Sequence, residues 1–183
     1  MDISKSVHRQ EFSVKLARLI WLIFFSPIIY YLPAPLSKLK VLILRLWGAK
    51  IGKNVYLRKG TSILIPWKLT IGNHVAIGLN VTLYNLENII ILDQIVISQN
   101  AYLCTGSHDY ENPNFSLIKK PIKINHYVWI ASDAFIGPGV TIGTGSIVGA
   151  KSIIYKNTED WCVYSGNPAR IIKERIIRPN TET

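Results

Sequence analysis

The chain has 183 residues, which is enough for one domain of ordinary size and short for two. Hydrophobic residues make up 49% and charged residues 17%, so the composition excludes a wholly disordered protein. The formal net charge is +10, and residues 1–50 hold eight of the 21 cations against only Asp2 and Glu11. Because these cations alternate with aliphatic and aromatic runs, they favour anionic lipid or phosphate as a partner over nucleic acid.

Residues 1–50 form an apolar and basic N-terminal segment. Its apolar run from Leu19 to Leu32 is too short to span a bilayer and lacks the small-residue cleavage site of a signal peptide. The run from Leu36 to Trp47 places leucine and isoleucine at helical spacing. Residues 12–47 are therefore predicted to form two apolar helices. These helices either pack on the rest of the fold or lie in the membrane interface, and the sequence leaves both open.

A six-residue repeat, the hexad, begins at Ile51. Fifteen hexads start at positions 51, 57, 63, 71, 77, 83, 91, 97, 103, 124, 130, 136, 142, 148 and 154, and all fifteen residues are Ile, Leu or Val. The second hexad position is Gly at 52, 72, 78, 137, 143 and 149, where we expect the chain to turn and a side chain to restrict its dihedral angles. Three hexads close one triangular coil, and coils must stack to bury their apolar sides. Residues 51–159 are thus predicted to form an all-β solenoid of about five coils.

Extra residues fall after the hexads at 63, 83 and 103, which always end the third side of a coil. The last insertion leaves a long loop, 106–121, rich in polar, aromatic and proline residues. Loops of this length in a compact repeat are usually either functional or disordered, and this composition favours a defined binding arm. Residues 160–183 are expected to form a short C-terminal helix followed by a charged, frayed tail from residue 174.

The two cysteines, Cys104 and Cys162, show neither metal-ligand spacing nor the density of a disulfide scaffold. Neither cysteine lies in the sequence context of a catalytic nucleophile. This argues against a covalent intermediate on either cysteine.

The hexad array, together with TGSHD, VWIAS (128–132), IGPGVTIG (136–143) and SGNPARIIK (165–173), resembles the left-handed β-helix hexapeptide-repeat acyltransferases. Within that family, the motifs are most similar to the colanic acid biosynthesis and galactoside O-acetyltransferase group. The resemblance covers about residues 40–175. It implies a left-handed parallel β-helix, acetyl-CoA as acetyl donor, no metal, and a homotrimer whose sites lie between neighbouring subunits.

His108 is the candidate catalytic base. Acyl transfer to a hydroxyl needs a group that removes the hydroxyl proton, and imidazole takes up and releases a proton near neutral pH. The resemblance implies that His108 also returns a proton to the departing CoA sulfur. The residue that orients His108 stays open among Asp109, Glu111, Glu87, Asp93 and a backbone carbonyl.

The acceptor side departs from the family pattern, because the asparagine of related galactoside enzymes is replaced by Gly78. Asn80 and Asn85 are nearby substitutes, and we expect Asn85 to take this role, since it lies on the same inserted side as His108. Asp109 is a further candidate contact for the acceptor. Trp129 resembles the family tryptophan near the acetyl group.

Residues from VWIAS onward match family positions that bind the cofactor. By this resemblance, the backbone N–H of Ser132 faces the thioester carbonyl, and the small residues Gly137 and Ala150 accommodate pantetheine. The nucleotide end is assigned to Tyr155, Lys156, Arg170 and Lys173, whose cations can pair with CoA phosphates.

These features predict a cytoplasmic O-acetyltransferase, held at the inner face of the membrane if residues 12–47 contact lipid. The acceptor is expected to be a saccharide hydroxyl in a cell-surface polysaccharide precursor, with a lipid-linked precursor as one candidate. Two alternatives remain: a non-catalytic scaffold that binds membrane or a partner, and a metal-dependent enzyme similar to β-helical carbonic anhydrases. The second needs three histidines, but His8, His74, His108 and His126 contain no closely spaced pair within one coil.

Overall fold

The N-terminal segment is helical. A computed structural model describes residues 11–178, and the tail beyond 178 lies outside them. Helix α1 (Phe12–Ile20), a π-helical segment (Trp21–Phe25) and helix α2 (Ser26–Tyr31) form one continuous stretch of 20 residues. A 3-10 turn (Ala34–Leu36) leads into helix α3 (Ser37–Leu46). The stretch Phe12–Tyr31 is longer than the apolar run predicted, and by length and composition alone it could cross a membrane.

The rest of the chain winds into a parallel β-solenoid with three faces. Face 1 consists of β1 (Lys50–Ile51), β4 (Leu69–Ile71), β7 (Ile89–Ile91), β12 (Ile122–Ile124) and β15 (Thr141–Ile142). Face 2 consists of β2 (Tyr56–Leu57), β5 (Val75–Ile77), β8 (Ile95–Ile97), β13 (Trp129–Ile130), β16 (Ile147–Val148) and β18 (Cys162–Gly166). Face 3 consists of β3 (Ser62–Ile63), β6 (Thr82–Tyr84), β9 (Tyr102–Cys104), β14 (Phe135–Ile136) and β17 (Ile153–Ile154). Five complete coils result, and β18 begins a sixth, so the predicted solenoid is confirmed.

The first hexad positions form the core. Fourteen of the fifteen are buried, and Ile51 in the first coil is half-buried. In each strand the neighbouring residues point outward, because side chains alternate across a strand. The aliphatic column therefore runs through all five coils.

The physical role expected of the second-position glycines is wrong. Their backbones are not left-handed; instead, that conformation recurs at the fourth position, as at Asn54, Asn80 and Asn100. A Cβ at Gly52 would lie 2.6 Å from a carbonyl oxygen of the next coil, and one at Gly78 would lie 2.7 Å from a backbone nitrogen. These glycines therefore allow coils to stack closely, while the fourth position makes the corner.

The helices of residues 12–46 cap the open end of the solenoid. Together with the first coil they form the base of the solenoid. The first strand of each face would otherwise leave unpaired backbone groups there. Four side chains satisfy them: Arg45 donates to Ile51 O and Gly52 O, Ser37 Oγ accepts from Leu57 N, Lys40 Nζ donates to Arg58 O, and Trp21 Nε1 donates to Ile63 O, all at 2.7–3.1 Å. Burial lowers the pKa of Lys40. One side of the helical segment thus packs on the rest of the fold, which was one of the two alternatives that the sequence left open.

The predicted C-terminal helix is wrong. Strand β18 continues face 2 by pairing with β16, and the chain then turns back as β19 (Ala169–Glu174), antiparallel to β18. Cys162 and Tyr164 are buried while Val163 and Ser165 are partly exposed. That period of two suits a strand that extends the sheet and not a helix.

Candidate active site

The long loop forms an ordered arm at the corner between faces 3 and 1. It leaves β9 and folds into an antiparallel hairpin of β10 (Gly106–His108) and β11 (Leu117–Lys119) before β12 begins. Its return is tied down by the Lys120 N–H, which donates to Thr105 O at 2.9 Å. The arm therefore holds His108 in a fixed place outside the solenoid.

His108 is oriented by a backbone carbonyl. Its Nδ1 lies 2.7 Å from Phe115 O, and the backbone of Phe115 is left-handed with φ of 47°. A carbonyl oxygen can only accept a hydrogen bond, so Nδ1 carries the proton and Nε2 presents its lone pair. The exposed imidazole is thereby set in the tautomer that a general base needs.

Three of the four carboxylates considered as orienters of His108 make contacts elsewhere. Asp109 Oδ1 accepts from Glu111 N at 3.2 Å within the arm. Glu87 pairs with Lys68 at 3.3 Å, and Asp93 Oδ1 accepts from Asn73 N at 2.6 Å. Asp109 therefore shapes the turn of the arm, and its contact with an acceptor stays a prediction.

Asn85 is a structural residue, so its expected acceptor contact is wrong. It has no exposed surface, and its amide oxygen accepts from the N–H groups of Leu64 and Ile65 at 3.1 and 2.9 Å. Its amide nitrogen donates to Ile65 O. The side chain is buried and held by three hydrogen bonds to the backbone of the preceding coil, so a ligand cannot reach it.

Asn85→Ala is expected to lower the free energy of unfolding by about 1–3 kcal/mol, because it leaves buried backbone groups unpaired. Urea unfolding measures this loss. Asn88→Ala, at an exposed position on the same insertion, is the matched control and should be near neutral. A normal unfolding midpoint for Asn85→Ala would contradict the structural role.

Trp129 lies on face 2. Its side chain is 46% exposed, and the indole N–H donates to Ser98 Oγ at 2.9 Å. In a triangular cross-section, face 2 is opposite the corner that carries the arm. His108 and Trp129 of one chain therefore lie on opposite sides of the solenoid.

The cofactor candidates form two groups higher in the solenoid. Ser132 and Ala150 occupy the same corner, between faces 2 and 3, one coil apart, with Lys151 N donating to Ser132 O at 2.9 Å. Gly137 lies beneath Tyr155 on face 3, where a Cβ would approach the ring of Tyr155 to 2.6 Å. Ala150 is exposed and Ser132 is half-buried, so this corner offers an accessible path along the axis.

A cleft of about 170 Å³ brings Tyr155, Lys156 and Arg170 together at the C-terminal end. Its other wall includes Pro168 and Ala169 of the hairpin. Lys173 lies further along β19 and does not line it. The sequence motif gave the three residues, but the wall was not foreseen because a helix was expected here.

Face 3 carries an aromatic column that the sequence analysis did not identify. The rings of Tyr84, Tyr102, Phe135 and Tyr155 follow one another at centroid distances of 6.3, 5.7 and 5.7 Å. Burial raises the pKa of Tyr102, with Cys104 and Tyr84 contributing. The outward alternation of the hexads could have revealed this column, since each ring lies directly before or after a buried first position.

Metal chemistry receives no support from residues 11–178, among which no three His, Cys, Asp or Glu side chains are placed to hold an ion. His8, which the metal alternative included, lies outside those residues. His74 and His126 line an open groove at the corner between faces 1 and 2, away from the arm.

A hexad solenoid with a histidine on an arm is the architecture of the hexapeptide-repeat acyltransferases, and comparisons with known proteins identify the same class. The chain belongs to the hexapeptide-repeat acetyltransferases, in the group of the colanic acid biosynthesis acetyltransferases. No protein-family model matches it. It is 45% identical over 157 residues to the colanic acid biosynthesis acetyltransferase WcaF of Escherichia coli, covering 86% of each chain.

Two further relatives support the same family. The galactoside O-acetyltransferase of Escherichia coli is 30% identical over 145 residues, which is 78% of this chain and 71% of that one. A hexapeptide-repeat acetyltransferase of Vibrio cholerae, solved with acetyl coenzyme A, superposes with a TM-score of 0.83 at 23% identity over 94% of this chain and 96% of that one. The last similarity concerns the fold.

Proposed function

We propose that this acetyltransferase transfers the acetyl group of acetyl-CoA to a saccharide hydroxyl, with His108 as general base. The observation that carries the proposal is the hydrogen bond from His108 Nδ1 to Phe115 O, because it leaves Nε2 free to accept a proton. The acceptor oxygen attacks the thioester carbon as Nε2 takes its proton. The C–S bond then breaks, the imidazolium protonates the sulfur, and the products are an acetyl ester and free CoA.

The remaining site residues bind and position the donor. The backbone N–H of Ser132 stabilises the negative oxygen that develops on the thioester carbonyl. Pantetheine follows the corner of Ser132 and Ala150, and Lys156 and Arg170 pair with the nucleotide phosphates. The cleft that gathers Tyr155, Lys156 and Arg170 supports this assignment.

The functional unit is a homotrimer in which one chain's arm meets its neighbour's donor site. Two observations support it. His108 and Trp129 lie on opposite sides of one solenoid, so a single chain does not bring them to one reaction centre. The aromatic column on face 3 is also apolar enough to pack against another copy.

The acceptor is a saccharide of a cell-surface polysaccharide precursor. This rests on two relatives, one named for colanic acid biosynthesis and the other for galactosides. Because CoA thioesters are available in the cytoplasm, the reaction is proposed to take place there.

An acetyl transfer assay tests the proposal. The folded protein is incubated with acetyl-CoA and a panel of saccharides, and both free thiol and alkali-labile acetyl ester are measured. We expect the two to rise in equal amounts with at least one saccharide. Acetyl-CoA binding without ester formation across the panel would contradict a saccharide acceptor, and no binding at all would favour the non-catalytic scaffold.

A further inference from the structure

The base of the solenoid exposes a large apolar surface. Helix α1 has no buried residue, although all of its side chains other than Ser13, Lys15 and Arg18 are apolar. The outer residues of α1, of the π-helical segment and of α3 are strongly exposed, including Phe12 at 81%, Phe24 at 62% and Leu46 at 78%. Because α1 buries no residue, packing on the fold adds little to its stability, and its exposed apolar surface indicates a missing partner.

The same end of the molecule carries nearly all of the net positive charge of residues 12–178. Residues 12–86 hold ten cations and no Asp or Glu, namely Lys15, Arg18, Lys38, Lys40, Arg45, Lys50, Lys53, Arg58, Lys59 and Lys68. Residues 87–178, in contrast, hold nine cations and eight carboxylates. The charge is therefore concentrated on the helices and the first two coils, around the exposed apolar surface.

This combination distinguishes between possible partners. A second copy docked through the same surface would bring its own large excess of cations, against which Glu11 beside α1 is a single opposing carboxylate, and the two surfaces would repel each other. An anionic bilayer supplies both requirements, since its headgroups attract Lys and Arg and its acyl chains accept apolar side chains.

The helical stretch is anchored so that it lies against the base and does not cross a bilayer. Trp21 and Ile29 are buried under the first coil, with 0% and 1% exposure. Trp21 Nε1 donates to Ile63 O at 2.9 Å, and Gly60 N donates to Tyr30 O at 2.8 Å. A spanning arrangement would pull these groups away and leave the strand edges of the first coil unpaired.

We propose that the basic, apolar base docks in plane onto an anionic membrane surface, with the solenoid axis pointing away from the bilayer. The arm leaves the third coil, which is about 10 Å above the first at the usual strand spacing. At that height His108 can reach a saccharide carried on a membrane lipid. This last consequence rests on the proposed function, whereas docking itself does not.

Vesicle cosedimentation with the full chain tests the docking. Vesicles of phosphatidylcholine with phosphatidylglycerol are compared with pure phosphatidylcholine. We expect strong binding to the anionic vesicles only, and clear weakening between about 0.1 M and 1 M salt, because the screening length shortens about threefold. No binding to the anionic vesicles would overturn the proposal.

Paired substitutions test whether vesicle binding depends on residues of the solenoid base or on charge and apolar residues elsewhere in the chain. Lys15→Glu with Lys38→Glu should weaken partitioning by more than about 100-fold, since each charge contributes about fivefold. Its control, Lys123→Glu with Arg178→Glu, makes the same charge change elsewhere and should alter it much less. Phe24→Ser with Leu42→Ser is expected to lose about tenfold or more, against little change for Ile176→Ser with Ile177→Ser.

Equal losses in the base variants and their controls would contradict a docking surface. Sedimentation equilibrium of the same variants checks the competing occupant: a change of oligomeric state in the base variants would assign the surface to a second copy. Acetyl transfer to a water-soluble saccharide should be unchanged in the base variants, so failure of docking and failure of the proposed function remain distinguishable.

Discussion

His108→Ala is expected to reduce acetyl transfer by about 10²–10⁴-fold while acetyl-CoA binding and folding stay normal. The substitution removes the only side-chain nitrogen that the arm fixes for proton abstraction, and the Phe115 carbonyl is exposed enough to be solvated instead. Turnover at saturating donor and acceptor, with calorimetric acetyl-CoA binding alongside, measures the two effects separately.

His74→Asn is the matched control for this experiment. His74 is also exposed but lies at the corner between faces 1 and 2, and asparagine tolerates its left-handed backbone. It should retain near-normal turnover. If His108→Ala also turned over normally, another group would have to remove the proton, and the role of the arm would be refuted.

Mixing two inactive variants is expected to restore activity. His108→Ala lacks the catalytic base, and Ala150→Trp blocks the exposed corner along which the donor is proposed to lie. If a site takes its catalytic base from one chain and its donor surface from the neighbour, every mixed trimer has one working site of its three, so about a third of the sites in purified mixed trimers are restored. Coexpression with two different tags, followed by tandem purification and a transfer assay, measures this recovery.

Each variant alone, carried through the same purification, provides the baseline. If verified mixed oligomers recover no activity, the catalytic base and the donor surface of a site belong to one chain. In that case the arm would have to bend around the solenoid, and the opposite placement of His108 and Trp129 would not describe the working site.

The sequence predicted the solenoid because its repeat is enforced by packing. Every first hexad position points inward, so Ile, Leu and Val recur with a period that no other fold requires. The insertion after Leu103 likewise predicted the arm, since extra residues in a tightly wound coil can only leave at a corner. The role of the second-position glycines was mistaken because close stacking and a tight turn select the same residue.

The site could be predicted only where side chains carry the signal. His108 belongs to a motif, but Phe115 orients it through a carbonyl oxygen that every residue possesses. Asn85 lies on the inserted side as a binding residue would, and only its burial and its hydrogen bonds to the backbone reveal its structural role. The C-terminal hairpin depends on pairing with β16 far along the chain, which local sequence does not encode.

Calorimetric titration of the folded protein with acetyl-CoA tests donor binding without knowledge of the acceptor. We expect close to one site per chain with a Kd between about 1 μM and 1 mM. A folded protein that releases no heat of binding at millimolar acetyl-CoA would contradict this expectation.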